Sequence, residues 1–256
     1  MDSKTAFVTN VKEYAGPPAA AAMAKADWDV FCHDDSFASP ESRAQFEREN
    51  PGRIAAAAQD AAAFVAEGLA RFGRIDALIS NDIPKRLTSD PWSKKMEPGN
   101  EVSDLLKDFE AYLDSLVTEP VRLLRAALPA MKAAQSGSII LVTSGAPLRV
   151  PVVSKRPHGY LAARAAANTL AKVLAVELAP LNIQVNAVAP FLVYSQTFIP
   201  SPLGAEDPDF APVVNRLVPM KRFGRPEEIG TLIALLASGG AGFVSGQVIA
   251  FSGAGC

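Results

Sequence analysis

The chain has very little cysteine: two in 256 residues, Cys32 and Cys256. Two thiols cannot build a disulfide framework or a four-ligand zinc site. A charge imbalance is also missing, since 25 basic residues face 27 acidic ones for a net charge of −2. That balance leaves no electrostatic footprint for nucleic acid or for an anionic membrane. No apolar run reaches the roughly 20 residues of a bilayer-spanning helix. Met1-Asp2-Ser3-Lys4 leads straight into a strand-like segment and leaves no room for a signal peptide. A soluble, cytoplasmic protein is therefore expected. The length and a hydrophobic content of 49% suit one well-buried core, so residues 1–256 are expected to form a single domain.

What is present is an alternation of short β-like runs with helical stretches. The strand candidates are Thr5–Thr9, Asp29–Cys32, Ala77–Ser80, Ser138–Thr143, Gln184–Val188 and Val248–Phe251. They are short and rich in Val, Ile and Phe, as expected of strands buried on both faces of a parallel sheet. Helices are predicted over Pro40–Asn50, with Ser39 as N-cap and Pro51-Gly52 as stop, and from about Asp60 to Phe72, ending at Gly73. Others are predicted over Val102–Leu116, continuing past Pro120 toward Gln135, over Tyr160–Leu178, and near Pro226–Ala237. The Ala-rich run Ala55–Ala63 reads as helix propensity and close packing. Repeated β-α-β units on one apolar sheet define an α/β fold: a single-domain, Rossmann-like, doubly wound parallel sheet flanked by helices. The Pro-rich segments Pro84–Pro98, Pro147–Pro157 and Pro190–Pro219 follow strand candidates, where such folds hold their ligands.

The first of these sites lacks glycine. Rossmann-like proteins that bind NAD place glycines after strand one, so that backbone can approach the pyrophosphate at the next helix's N-terminus. Here the loop reads Asn10-Val11-Lys12-Glu13-Tyr14-Ala15-Gly16-Pro17-Pro18. Asn10 and Tyr14 stand where the first two glycines belong, and only Gly16 remains. A tyrosine ring fills space the cofactor needs, and the two prolines remove anion-binding N–H groups. Asp34, eighteen positions after Gly16, stands roughly where a ribose acceptor would, but a lone Asp after a strand is more often a cap or turn residue.

A second constellation carries more chemistry. Ser144 follows the strand SIILVT, and a loop leads to Gly159-Tyr160-Leu161-Ala162-Ala163-Arg164. Tyr160 and Arg164 are four apart and share a helix face. A guanidinium fixed nearby favours the phenolate, which makes Tyr160 a candidate general base. Ser144 can donate a hydrogen bond to the oxygen being deprotonated. His33 and His158 are weaker candidates, read as a strand-end filler and a loop residue. Cys32 reads as a small core residue, and Trp28 and Trp92 as core and loop anchors.

Ser144, Tyr160 and Arg164 resemble the Ser-Tyr-x-x-x-Lys site of short-chain dehydrogenases/reductases, with arginine in place of lysine. Together with the altered glycine loop, the chain resembles the halohydrin dehalogenases, a family derived from that fold. Thr9 with Tyr14-Ala15-Gly16, the run Cys32-His33-Asp34-Asp35-Ser36-Phe37, Ser80-Asn81-Asp82 and Leu236-Ala237-Ser238 are also similar to that family. The resemblance implies a lyase that turns a vicinal haloalcohol into an epoxide and halide, with the reverse ring opening by small anions. It implies no cofactor and a homotetramer. Asp82 would orient Arg164. Tyr14, Pro190, Phe191, Leu192, Val193 and Phe198 would line the halide and substrate pocket. There are departures. Ser144 and Tyr160 are sixteen apart rather than about thirteen, which puts extra residues into Arg149–His158 at the substrate entrance. Pro190-Phe191-Leu192-Val193 replaces the family's Pro-Asn-aromatic run, and little tail follows Ser252 to reach a neighbouring subunit. Two alternatives remain open on sequence alone: an NAD(P)-dependent oxidoreductase with an atypical loop, using Asp34 on the ribose, and a catalytically silent binding or regulatory subunit.

Overall fold

A computed structural model of the protein describes residues 3–84, 105–149, 158–195 and 211–256. Its seven strands form one all-parallel sheet: β1 (Thr5–Val8), β2 (Asp29–Cys32), β3 (Arg53–Ala55), β4 (Ala77–Ser80), β5 (Gly137–Val142), β6 (Ile183–Pro190) and β7 (Val248–Phe251). Their order across the sheet is β3-β2-β1-β4-β5-β6-β7. The chain runs outward to one edge from β1, then restarts beside β1 with β4, so a crevice opens at the carboxyl ends between those two strands.

The helices are α1 (Gly16–Lys25), α2 (Pro40–Glu49), α3 (Ala61–Phe72), α4 (Leu105–Leu113), α5 (Glu119–Ala134), α6 (His158–Leu178), α7 (Ala211–Leu217) and α8 (Pro226–Ala237). Ala6, Val8, Val30, Cys32, Ile79 and Ile140 point to one face of the sheet and pack on α1, α2 and α8. Phe7, Phe31, Leu78, Ile139 and Leu141 point to the other and pack on α3, α5 and α6. Alternate residues thus enter opposite cores, which is why these strands read as unbroken apolar runs. The second face is anchored by aromatics: Phe31 stacks on Phe64 with centroids 5.1 Å apart, and Phe7 meets Phe31 at 5.3 Å. Gly68 lets α3 lie directly on that cluster, because a Cβ there would collide with the Phe7 ring.

Local signals placed most boundaries. Ser39 accepts from the Ser42 N–H at 3.3 Å and Asp60 from the Ala63 N–H at 2.8 Å, each capping its helix. Gly73 ends α3 in the left-handed conformation, φ 71°. The Ala-rich run Ala55–Ala63 is a correction to the sequence reading. Ala55 closes strand β3, the next residues are irregular, and the helix begins only at Ala61. Strand β3 has three residues, pairs only with β2 at the sheet edge, and includes the half-buried Arg53, so it leaves no apolar run to read. Short α7 was likewise not anticipated. Between α4 and α5 the chain widens into a single π-helical turn over Asp114–Thr118, where the Glu119 N–H reaches the Asp114 carbonyl. Pro120, which follows, has no N–H to continue the ordinary ladder.

Candidate active site

The loop after β1 is closed on itself. The Val11 N–H donates to the His33 carbonyl at 2.9 Å, Glu13 N–H to Asn10 at 3.0 Å, and Gly16 N–H to Glu13 at 2.8 Å. Lys12 N–H donates to the Asp34 carboxylate at 3.3 Å. Asn81, fully buried at the end of β4, sends its Nδ2 to the carbonyls of Asn10 at 3.0 Å and Glu13 at 2.8 Å. Gly16 is there for space, since a Cβ would lie 2.9 Å from Asn81 Nδ2 and 2.8 Å from Val11 Cα. Asn10 and Tyr14, standing where glycines are expected, keep a glycine-like backbone, φ 45° and 47°. Asparagine tolerates that conformation, whereas for tyrosine it costs roughly 1–2 kcal/mol. The Tyr14 ring packs against the apolar core that contains Val11, Ala15 and Val193.

This loop is poor in donors for a dinucleotide: the N–H groups of Val11, Lys12, Glu13 and Gly16 are spent within the protein, and Pro17 and Pro18 supply none. Asp34 caps the following turn: its carboxylate accepts from Ser36 N–H at 3.0 Å and Ser36 Oγ at 2.6 Å as well as from Lys12. It is a turn residue, with both oxygens engaged. The crevice beside it is lined by Asp35, Asp82 and Glu119, with no lysine or arginine among the described residues. That charge opposes a diphosphate. His33, at the end of β2, lies against the Phe64 ring with centroids 5.5 Å apart and lines the same crevice.

The other constellation lies at the carboxyl end of β5 and the start of α6. Ser144, Tyr160 and Arg164 are buried, at 2%, 8% and 2% exposure. Gly159 lets α6 approach α4 closely, because a Cβ would stand 2.8 Å from Phe109 Cα. The Tyr160 ring then packs on Tyr112, edge to face at 5.8 Å, and on Leu116 from the widened turn. Arg164 Cζ lies 5.5 Å from the Tyr160 ring centroid. A buried guanidinium costs several kcal/mol unless it is compensated. Here Nη1 donates to the Val142 carbonyl and Nη2 to the Asp82 carbonyl, each at 3.0 Å. Asp82 therefore meets Arg164 through its backbone carbonyl; its carboxylate takes the Ser80 hydroxyl instead. Desolvation pushes the Asp82 carboxyl up to about 6, against the opposing pull of Ser80 and Arg164; the charge of Glu119 adds to the rise.

Ser144 is held by two contacts of its own and one of its neighbour. Its Oγ accepts from the Ala146 N–H at 3.1 Å, which turns the hydroxyl hydrogen away as a donor. Its carbonyl accepts from Asn168 Nδ2 at 3.3 Å. The next residue, Gly145, donates to the Pro190 carbonyl at 2.9 Å. Asn168 was missed in the sequence, although it lies one turn beyond Arg164 as a lone amide among alanines. Phe191 and Leu192 cluster with Ala146 of this same loop. Tyr14 and Val193 belong to the other core, so the expected pocket set divides between two clusters. Pro190 is the last residue of β6, paired with Phe251, rather than part of a loop. Arg149 clasps the carbonyls of Leu217 at 3.0 Å and Gly255 at 3.1 Å, with its guanidinium 5.9 Å from the Phe191 ring. Cys32 is fully buried, and burial pushes its thiol well above the usual range. Trp28 is half-buried beside Lys4. Phe198, Trp92, most of the Arg149–His158 loop and the His158 side chain lie outside the described residues.

A family described as Enoyl-(Acyl carrier protein) reductase matches residues 16–253. A 3-oxoacyl-(acyl-carrier-protein) reductase of Thermotoga maritima is 32% identical over 187 residues, 72% of this chain and 67% of that protein. The match spans only 52% of a tropinone reductase homologue of Arabidopsis thaliana, so the chain covers between about half and two thirds of such relatives. The chain belongs to the short-chain dehydrogenase/reductase superfamily. Within it, the structure is similar to two dehalogenases. One solved structure, described as a dehalogenation enzyme, is 32% identical with TM-score 0.87, covering 100% of this chain and 99% of that one. A halohydrin dehalogenase bound to ethyl (2S)-oxiran-2-ylacetate is 31% identical with TM-score 0.87, covering 98% and 96%.

Proposed function

We propose that this chain is a halohydrin dehalogenase, a carbon–halide lyase that works without a nucleotide. The observation that carries the reading is the contrast between the loop after β1, where four backbone donors are engaged, and the end of β5, where Arg164 lies over the Tyr160 ring and Ser144 sits buried nearby on the strand end. The likeness to two dehalogenase structures over nearly the whole chain supports it. Ser144 donates its hydroxyl hydrogen to the substrate oxygen, the direction its Ala146 contact leaves open. Tyr160 takes the substrate's hydroxyl proton. Arg164, fixed by two carbonyls, holds positive charge over the Tyr160 ring and favours its ionised form. The alkoxide then attacks the neighbouring carbon. A carbon–oxygen bond forms, the carbon–halogen bond breaks, and the halide leaves with the electron pair. No hydride moves, so loss of the nucleotide site costs the reaction nothing. In reverse, a small anion opens the epoxide and Tyr160 returns the proton.

In this reading the halide rests near Pro190 and Phe191, against backbone N–H groups and ring edges, with Leu192, Val193, Phe198 and Tyr14 completing the walls. Residues 1–256 act as one unit, and copies assemble as a tetramer. Val173 and Val176, 59% and 79% exposed on α6, suit a contact between copies. The reading is tested by incubating the protein with an aromatic and an aliphatic vicinal haloalcohol and no nucleotide. Halide and protons should be released one to one, with epoxide as product. No release from either substrate by folded protein would overturn it. The second reading, a nucleotide-dependent reductase, is favoured by the names of the curated relatives. It requires the β1 loop to open and expose its donors.

A further inference from the structure

Tyr160, Arg164 and Asn168 stand at successive turns of α6 and form one buried polar stripe in an otherwise Ala-rich helix. The mechanism above uses the first two. Asn168 is 5% exposed and flanked by the buried Ala167 and Ala171. Its Nδ2 reaches across to the Ser144 carbonyl, tying the helix of the base to the strand end of the serine. Its Oδ1 is buried with no hydrogen-bond partner among the described residues, and so is Arg164 Nε. A buried polar atom left unpaired is costly. Here one atom is an acceptor and the other a donor, one turn apart on the same face. Residues so spaced have their Cβ atoms about 5–6 Å apart, and the Asn168 side chain leans back toward the helix N-terminus, where Arg164 stands.

We infer that Asn168 is a positioning residue that couples Ser144 to Arg164. Its amide hydrogen holds the Ser144 carbonyl, and its amide oxygen receives the Arg164 Nε–H through one ordered water. Two groups on separate elements, the donor hydroxyl and the charge above the base, are thereby fixed in one frame. The coupling explains why an amide is there: a hydroxyl is too short to serve both ends, and an apolar side chain serves neither. Misplacement of a catalytic group by about 1 Å can cost on the order of a hundredfold in rate, so a residue that never touches substrate can matter.

The inference rests on the dehalogenase reading, and its test separates the two. Asn168→Leu keeps the volume and removes both hydrogen-bonding ends. With a haloalcohol substrate, kcat should fall by roughly ten- to a hundredfold while KM changes little, and the rising limb of the pH–rate profile should move to higher pH. Asn168→Gln, which keeps the amide, should recover part of the rate and move the limb back. A folded Asn168→Leu enzyme with wild-type kcat and an unmoved profile overturns the inference. Should that variant not fold, Asn168→Ser decides in the same way: a moved limb supports the coupling and a wild-type profile overturns it. Tyr160→Phe serves as the control. If it keeps wild-type turnover, the dehalogenase reading itself has failed, whatever Asn168 does.

Discussion

The carboxyl ends of β1 and β5 lie two strands apart in one sheet and have opposite characters. After β1, the backbone N–H groups of Val11, Lys12, Glu13 and Gly16 are engaged inside the protein, and Asn81 locks the loop with two further bonds. After β5, the Ser144 hydroxyl hydrogen is left to point outward, while Arg164 and Asn168 tie that end together through the Val142, Asp82 and Ser144 carbonyls. The first region satisfies itself, and the second leaves a buried serine hydroxyl free to meet a ligand.

The largest effects should come from the β5 end. Tyr160→Phe keeps the ring packing on Tyr112 and deletes the proton acceptor, so halide release should fall by about 10²-fold or more. Ser144→Ala should be severely impaired as well. Either variant, folded and near wild-type turnover, would break the contrast between the two ends. Arg164 sharpens it. The guanidinium spans carbonyls on two different elements, Val142 and Asp82, 3.0 Å from each. A lysine is a point charge that cannot hold both in that geometry. Arg164→Lys should move the pH–rate profile upward with a lower plateau, and Arg164→Gln, which removes the charge, should move it further. An unchanged Arg164→Gln profile would remove Arg164 from the mechanism.

Asp82 lies on the boundary between the two regions. Its carboxyl is raised from 3.8 to about 6, first by desolvation. The folded protein then holds this proton more tightly than the unfolded chain does. Stability from this group is therefore full below about pH 4 and is lost as pH rises through 6. Asp82→Asn should abolish that slope and raise stability above pH 6 by up to about 3 kcal/mol, less whatever the crevice water screens. Denaturant melts at pH 4.5 and 7.5 would show it. Arg164 should stay in place, because it uses the Asp82 carbonyl. The smallest effect belongs to the β1 end. Tyr14→Gly relieves a left-handed backbone worth roughly 1–2 kcal/mol and loses the ring's packing, so net stability should change by about 1 kcal/mol or less. It should not create nucleotide binding, since the N–H groups of Val11, Lys12, Glu13 and Gly16 remain engaged.

Much of this was legible in the residues. Six strands, the cap at Ser39, the helix start near Asp60, the Gly73 stop and the α8 limits followed from period and punctuation, because those signals are local. Strand β3 was not legible: three edge residues, only Ala55 of them buried, beside an Ala run look like helix. Tyr160 and Arg164 could be paired from their spacing of four. That Asp82 serves Arg164 with its carbonyl, and that Asn168 reaches Ser144, depend on how two elements far apart in sequence dock. Docking leaves no periodic trace. The β1 loop was half legible. Missing glycines pointed to a changed loop, but the engagement of the Val11, Lys12, Glu13 and Gly16 N–H groups and the glycine-like φ of Asn10 and Tyr14 needed the structure.

The central claim is that the nucleotide end is closed while the oxygen-activating end is intact. It is tested most directly by calorimetric titration of the protein with NADH and NADPH up to millimolar concentration, beside halide release measured on the same preparation without nucleotide. The account predicts no saturable heat with either nucleotide and undiminished halide release. A saturable isotherm in the micromolar range, with either one, would contradict it.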